Sequence, residues 1–134
     1  ANYLSRGDLT ALLQRMEAYR GLAVLTTNLR EAVDGAFMRR LRFSVQLPFP
    51  DQADRARIWA GAFGPDTPTD GLDPDQLARL NVAGGNITTI ALNAAFAAAD
   101  AGEPVRMRHV LHAARLEYAK LDRLLTDAEI KGWV

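Results

Sequence analysis

Asn28 ends a short apolar run, Leu22-Ala23-Val24-Leu25-Thr26-Thr27, and a cluster of three arginines, Arg39, Arg40 and Arg42, lies beyond it. An amide carried to the C-terminal end of a buried strand can hold a water or an oxygen beside a reacting phosphate. Guanidinium is permanently charged and can fork onto phosphate oxygens, so arginines on an edge suit a phosphate held by a neighbour. These residue types, in this order, fit the handling of a nucleoside triphosphate. The chain contains no Gly-x-x-x-x-Gly-Lys-Ser/Thr loop and no apolar strand ending in paired acids. The phosphate cradle and the magnesium ligand are therefore missing from it.

Elements that would position these groups can be read from spacing. Leu9, Leu12, Leu13 and Met16 predict a helix led by Asp8 and stopped at Tyr19-Arg20-Gly21, with Gly21 as the left-handed residue. Leu22 to Thr26 reads as a strand buried on both faces, and Phe43-Ser-Val-Gln-Leu47 alternates like a half-exposed one. Asp34 to Met38 fits a single helical turn. Pro48-Phe49-Pro50-Asp51 is the clearest boundary, because neither proline can donate to a ladder and Asp51 is a good helix N-cap.

Beyond that boundary the pattern is helical. A helix over 52–63 places Ala56, Trp59, Ala60 and Phe63 on one face, and residues 64–71 are loop by composition. Asp73-Pro74 opens a short helix with proline at its first position. After Ala83-Gly84-Gly85-Asn86, an alanine-rich helix puts Ile87, Ile90, Ala91, Ala94, Ala95 and Ala98 on one stripe until Gly102-Glu-Pro104. The last long helix carries Met107, Val110, Leu111, Ala114, Tyr118 and Leu121, and Thr126 with Glu129 matches a capping box. Trp59, Phe63 and Phe96 are expected in the core.

Composition narrows the classes of function. Hydrophobic residues make up 49% of the 134, enough for a real core and too many for wholesale disorder. Sixteen basic residues balance sixteen acidic ones, which argues against a general nucleic-acid surface despite the modest basic stretch Arg106, Arg108, His109 and Arg115. Without cysteine there are no disulfides or thiolate metal sites. His109 and His112 share no short arc with Glu117, so structural histidines are expected and no metal site. No apolar run is long enough for a membrane span, and no signal peptide is visible, so a cytoplasmic location is expected. The absence of an initial methionine suggests a fragment of a longer chain.

Taken together, strand-Thr27-Asn28, the segment Asp34-x-Ala36-Phe37-Met38-Arg39-Arg40-Leu41 and Pro48-x-Pro50-Asp51-x-x-x-Arg55-x-x-Ile58 resemble the second half of an AAA+ ATPase module. Gly84-Gly85-Asn86-Ile87 leading to Ala91-Leu92-Asn93-Ala94-Ala95 extends the likeness into the helical lid, so it covers about residues 3–120. The Leu12-Leu13-Gln14-Arg15-Met16-Glu17 helix ahead of the Thr-Asn strand is similar to the bacterial AAA+ variety encoded with contractile injection or phage-tail-like assemblies.

The resemblance implies a mostly α chain with a small β part. Residues 1–50 would be the C-terminal remnant of an α/β P-loop core, a helix plus two strands, and 51–134 an α-helical lid with a C-terminal extension. Asn28 takes the sensor-1 position, and Arg39 and Arg40 the arginine-finger region that reaches a neighbouring subunit's γ-phosphate. Gly84 and Gly85 begin the helix that lies near the nucleotide. The Arg-x-Gly-Arg pattern of many relatives is absent, as is a sensor-2 arginine, since Ile87-Thr-Thr-Ile90 supplies no cation. The intact protein would use ATP and magnesium in a homo-oligomeric, hexameric ring that remodels or assembles a protein substrate, whereas this segment alone would bind neither tightly and would be inactive. The alternative is a non-enzymatic helical adaptor that binds a partner protein through residues 84–123. The two strands would lack their sheet neighbours, leaving residues 1–50 rearranged, poorly ordered or paired with a second copy.

Overall fold

The structure, a computed structural model, describes residues 6–27 and 35–134, and these form seven helices. They are α1 (Arg6–Ala18), α2 (Gly35–Met38), α3 (Gln52–Ala60), α4 (Pro74–Leu77), α5 (Gly84–Asp100), α6 (Met107–Lys120) and α7 (Asp127–Ile130). The chain divides into two compact units, Ala1–Leu47 and Pro48–Val134. It is mostly α, and the one β pairing among the described residues is a parallel bridge between Thr69 and Val105.

The second unit is built around a continuous core. Trp59 of α3 and Leu77 of α4 meet Leu80, Val82, Ile87 and Ile90, and α6 adds Val110 and Tyr118. Each of these large side chains is almost wholly removed from water. Burial of that kind is worth about 1.5–3 kcal/mol per side chain relative to full exposure. Helix α5 packs chiefly on α6, where small residues on both helices, Ala91, Ala94 and Ala98 with Ala113 and Ala114, are buried. Small side chains allow helix axes to approach closely.

The buried charged side chains Arg55 and Glu117 of this unit are matched. Arg55 is 8% exposed, and its Nε donates to the Ala78 carbonyl at 2.8 Å while Nη1 donates to the Pro50 carbonyl at 2.8 Å. It thereby joins the entry of α3 to the end of α4, where unpaired carbonyls favour a cation. The buried Glu117 carboxylate accepts from Asn86 Nδ2 at 3.2 Å and from Lys120 at 3.1 Å.

Both long helices end in the same way. Gly102, at φ 67°, closes α5 with Glu103 N–H on the Ala98 carbonyl and its own N–H on that of Ala99. Helix α6 repeats this with Arg123 on Tyr118 and Asp122 on Ala119, but the left-handed residue there is Asp122, at φ 54°. This is the Schellman arrangement, and a side chain at its left-handed position is strained.

Beyond α6 the chain folds back and is clasped by Glu129. Its Oε1 accepts from Tyr118 Oη at 2.6 Å and from the Asn81 amide at 3.2 Å, while Oε2 accepts from Thr126 N–H and hydroxyl. Arg123 lies 5.0 Å from the Tyr118 ring centre and donates to the Asn81 carbonyl. Partial burial raises the Glu129 carboxyl, but hydrogen bonds from Tyr118, Thr126 and Asn81 outweigh it and hold the group below its ordinary 4.5. Burial first, then the Glu129 bond, pushes the Tyr118 phenol well above 10.0, so it stays a donor.

In the first unit, α1 buries Leu13 and α2 buries Phe37. The two expected strands are not formed. Among the described residues, 22–27 and 43–47 carry no sheet pairing, and Leu22, Val24, Phe43, Val45 and Leu47 are each more than 70% exposed. Alternating or apolar sequence favours an extended chain, but a strand exists only against a partner. Gly21 is not left-handed, since the positive-φ glycines among the described residues are Gly71, Gly102 and Gly132. A Cβ there would instead meet the Tyr19 ring at 2.5 Å. Phe96 is 64% exposed and not a core residue, because it falls on the side of α5 opposite Ile87 and Ala94.

Removing the Arg55 guanidinium should cost about 2–3 kcal/mol in urea unfolding, because two carbonyls lose a charged donor. Arg55→Met, which keeps the stem volume, should lose nearly as much as Arg55→Ala. Asp122→Gly should stabilise by about 0.5–1 kcal/mol by relieving the left-handed strain. Because the folded-state Glu129 value lies below the unfolded one, its contribution is present above about pH 4.5 and is lost as pH falls through the folded value. Glu129→Gln should therefore flatten the acid limb of a melting-temperature profile.

Candidate functional site

The groups expected to meet a phosphate fall in both units. Asn28 lies outside the described residues, while Thr27 beside it is exposed. The arginines are set by α2, a single turn anchored by buried Phe37. Helical hydrogen bonds run on past its end, from Arg39 N–H to the Gly35 carbonyl at 3.2 Å and from Arg40 N–H to the Phe37 carbonyl at 3.1 Å. With Phe37 turned inward, Arg39, Arg40 and Arg42 are all exposed.

Their charges are not equivalent. Arg40 Nε lies 3.6 Å from Glu17 Oε1 of α1, with both side chains about half exposed. Among the described residues Arg39 and Arg42 have no ion-pair partner. A surface pair of this length contributes little to stability. It does bias the orientation of Arg40, which leaves Arg39 as the freer guanidinium next to it.

Gly84 and Gly85 form the first turn of α5, the longest helix among those described. Their N–H groups belong to the set that a helix leaves without internal partners. The Asn86 side chain reaches back to accept from Ala83 N–H at 3.2 Å, and the Thr88 and Thr89 hydroxyls donate to the Gly84 and Gly85 carbonyls. A Cβ on Gly85 would meet nothing within 4 Å, and one on Gly84 would make an ordinary 3.6 Å contact with Ile58. Neither glycine is demanded by packing or by φ, so the fold itself would accept alanine at both.

Sequence reasoning missed two features of the second unit. One is the cluster at the start of α6, where Glu103 pairs with Arg108 and, at 3.9 Å, with Arg106, while Arg106 also holds Asp70 at 3.0 Å. Arg106 and Arg108 border a shallow hollow of about 290 Å³ with Asp70 and Trp133, and their charges are already matched there. The other is a groove of about 350 Å³ lined by Trp59, Phe63, Pro65, Thr67 and Leu72. The indole N–H groups of Trp59 and Trp133 are buried without an acceptor. Among the described residues no three His, Asp or Glu side chains converge as metal ligands, and no helix is long and apolar enough to cross a membrane.

Gly85→Ala should raise stability by about 0.5–1 kcal/mol, from the better helix propensity of alanine at an open position. A melting experiment checks this directly. A loss of stability would show that the N-terminal turn is constrained by contacts beyond those described. No family model, no curated protein and no solved structure matches the chain.

Proposed function

We propose that the chain is the C-terminal part of an AAA+ ATPase that couples ATP binding and hydrolysis to the remodelling or assembly of protein complexes. The observation that carries this reading is the order and spacing of four segments: Thr27-Asn28, Asp34 to Leu41, Pro48 to Ile58 and Gly84 to Ala95. In this reading Asn28 holds the attacking water or the γ-phosphate as sensor 1. Arg39 is the trans-acting finger, with Arg40 held back by Glu17. The free amides of Gly84 and Gly85 face the nucleotide, and residues 51–134 are the lid. The phosphate loop and the magnesium-binding acids belong to the preceding part of the parent protein, so magnesium and ATP are held mainly there. Neighbouring subunits of a homo-oligomeric ring would bring Arg39 to the phosphate of the next site. Residues 22–27 and 43–47 would gain their sheet partners from the same preceding part.

Purified residues 1–134 should show no measurable ATP turnover; turnover abolished by Asn28→Ala would overturn the reading. In the intact protein Arg39→Ala should lower kcat by about 10³-fold or more, the range for loss of an arginine finger. Nucleotide binding should be nearly unchanged, because the finger acts on the neighbour's phosphate. An Arg40→Ala defect larger than that of Arg39→Ala would reverse the assignment.

A second reading is a helical adaptor. It is favoured by the closed core of residues 48–134 and by the exposed Leu92 and Phe96 on α5. It predicts that the arginines of residues 39–42 are dispensable for partner binding.

A further inference from the structure

His109 sits in a position that no functional assignment above uses. It is the third residue of α6 and 8% exposed, and its Nδ1 accepts the Arg106 N–H at 2.9 Å. Arg106, the N-cap residue, makes no side-chain cap of its own. The imidazole therefore does from the third position what Glu or Gln does in a capping box. With Nδ1 as acceptor, the proton of the neutral ring is on Nε2, which lies 3.4 Å from Glu103 Oε2.

The same turn is stitched to the 64–71 loop. Val105 N–H donates to the Pro68 carbonyl at 2.8 Å, Asp70 N–H donates to the Val105 carbonyl at 2.9 Å, and Thr69 bridges Val105. We propose that His109 is a proton-operated clasp: its neutral ring caps α6 through the Arg106 amide, and protonation releases the start of α6 together with the Pro68–Asp70 segment. Protonation places a second N–H against an N–H, so the cap is lost and replaced by a repulsive contact.

The charges around the ring favour the neutral form. Arg106 at the N-cap and Arg108 on α6 flank it, and Asp70 pairs with Arg106. Glu103, from the α5–α6 link, is the one carboxylate within ion-pair distance of it among the described residues, and it also pairs with Arg108 and Arg106. Helix α5 carries a single ionisable residue, Asp100, which is exposed, and the C-terminal segment brings Trp133 and Val134 to the hollow beside Arg106. Burial, followed by Arg108 and Arg106, lowers the imidazole below its ordinary 6.5. Proximity of Glu103 alone would act the other way, but burial and the two guanidiniums outweigh it. A depressed folded-state value means that stability is full above about pH 6.5 and declines as pH drops from there through the folded value.

The test is an NMR titration of residues 1–134 from pH 8 to 5, read at the His109 ring and at the Arg106, Val105 and Asp70 amides. The ring should titrate below 6.5, and the Arg106 amide should move with the same midpoint. Exchange of the Val105 and Asp70 amides, corrected for its intrinsic pH dependence, should rise about fivefold across that midpoint, the factor for losing a helix cap. His109→Gln keeps an acceptor at the third position and should show no step. A ring midpoint at or above 6.5, or an unchanged step in His109→Gln, would overturn the proposal.

Discussion

Every backbone N–H and C=O must find a partner or face water, and this requirement separates the two units of the chain. Helices satisfy it internally, so residues 48–134 can close around a core with only their ends left to match. Those ends are matched in detail: Asp51 and Asp54 cap α3, Asn86 and His109 reach back to cap α5 and α6, and Gly102 and Asp122 close them. An extended segment has no such internal solution. Among the described residues, 22–27 and 43–47 carry no sheet pairing, and Leu22, Phe43 and Leu47 stand in solvent.

The same constraint governs what the candidate site can do. A sensor amide works only if a sheet holds its strand against the reacting phosphate, and a finger arginine works only if its base is fixed. The short turn of α2 supplies a base for Arg39 through buried Phe37. The proposed lid has a continuous core of its own, with Arg55 and Glu129 tying its ends to its middle. A helical unit with its own core accords with a piece of a larger ATPase and also with an adaptor.

Much of the helical unit was legible in the sequence, because its signals are local. The stripe Ile87, Ile90, Ala91, Ala94 and Ala98 is the buried face of α5, Asp73-Pro74 opens α4, and Thr126 with Glu129 caps α7. What the sequence hid depended on distant partners. Nothing around Arg55 announces that it meets carbonyls of Pro50 and Ala78, and nothing around Glu129 announces Tyr118 and Asn81. Leu22–Thr26 and Phe43–Leu47 show no sheet pairing among the described residues for the same reason: periodicity states a preference for extended backbone, but pairing is a property of two segments. Phe96 is exposed because its position on α5, not its aromatic character, decides which face it takes. For the site, Arg39, Arg40, Gly84 and Gly85 are accessible, while the role of Asn28 rests on the sequence alone.

The central claim is that these residues continue a nucleotide-binding core. Its most direct measurement is the sequence of the encoding gene upstream of Ala1. The account predicts a Gly-x-x-x-x-Gly-Lys-Ser/Thr loop followed by an apolar strand ending in paired acids, in frame with Asn28 and Arg39. An unrelated upstream domain, or a natural start near Asn2, would contradict it.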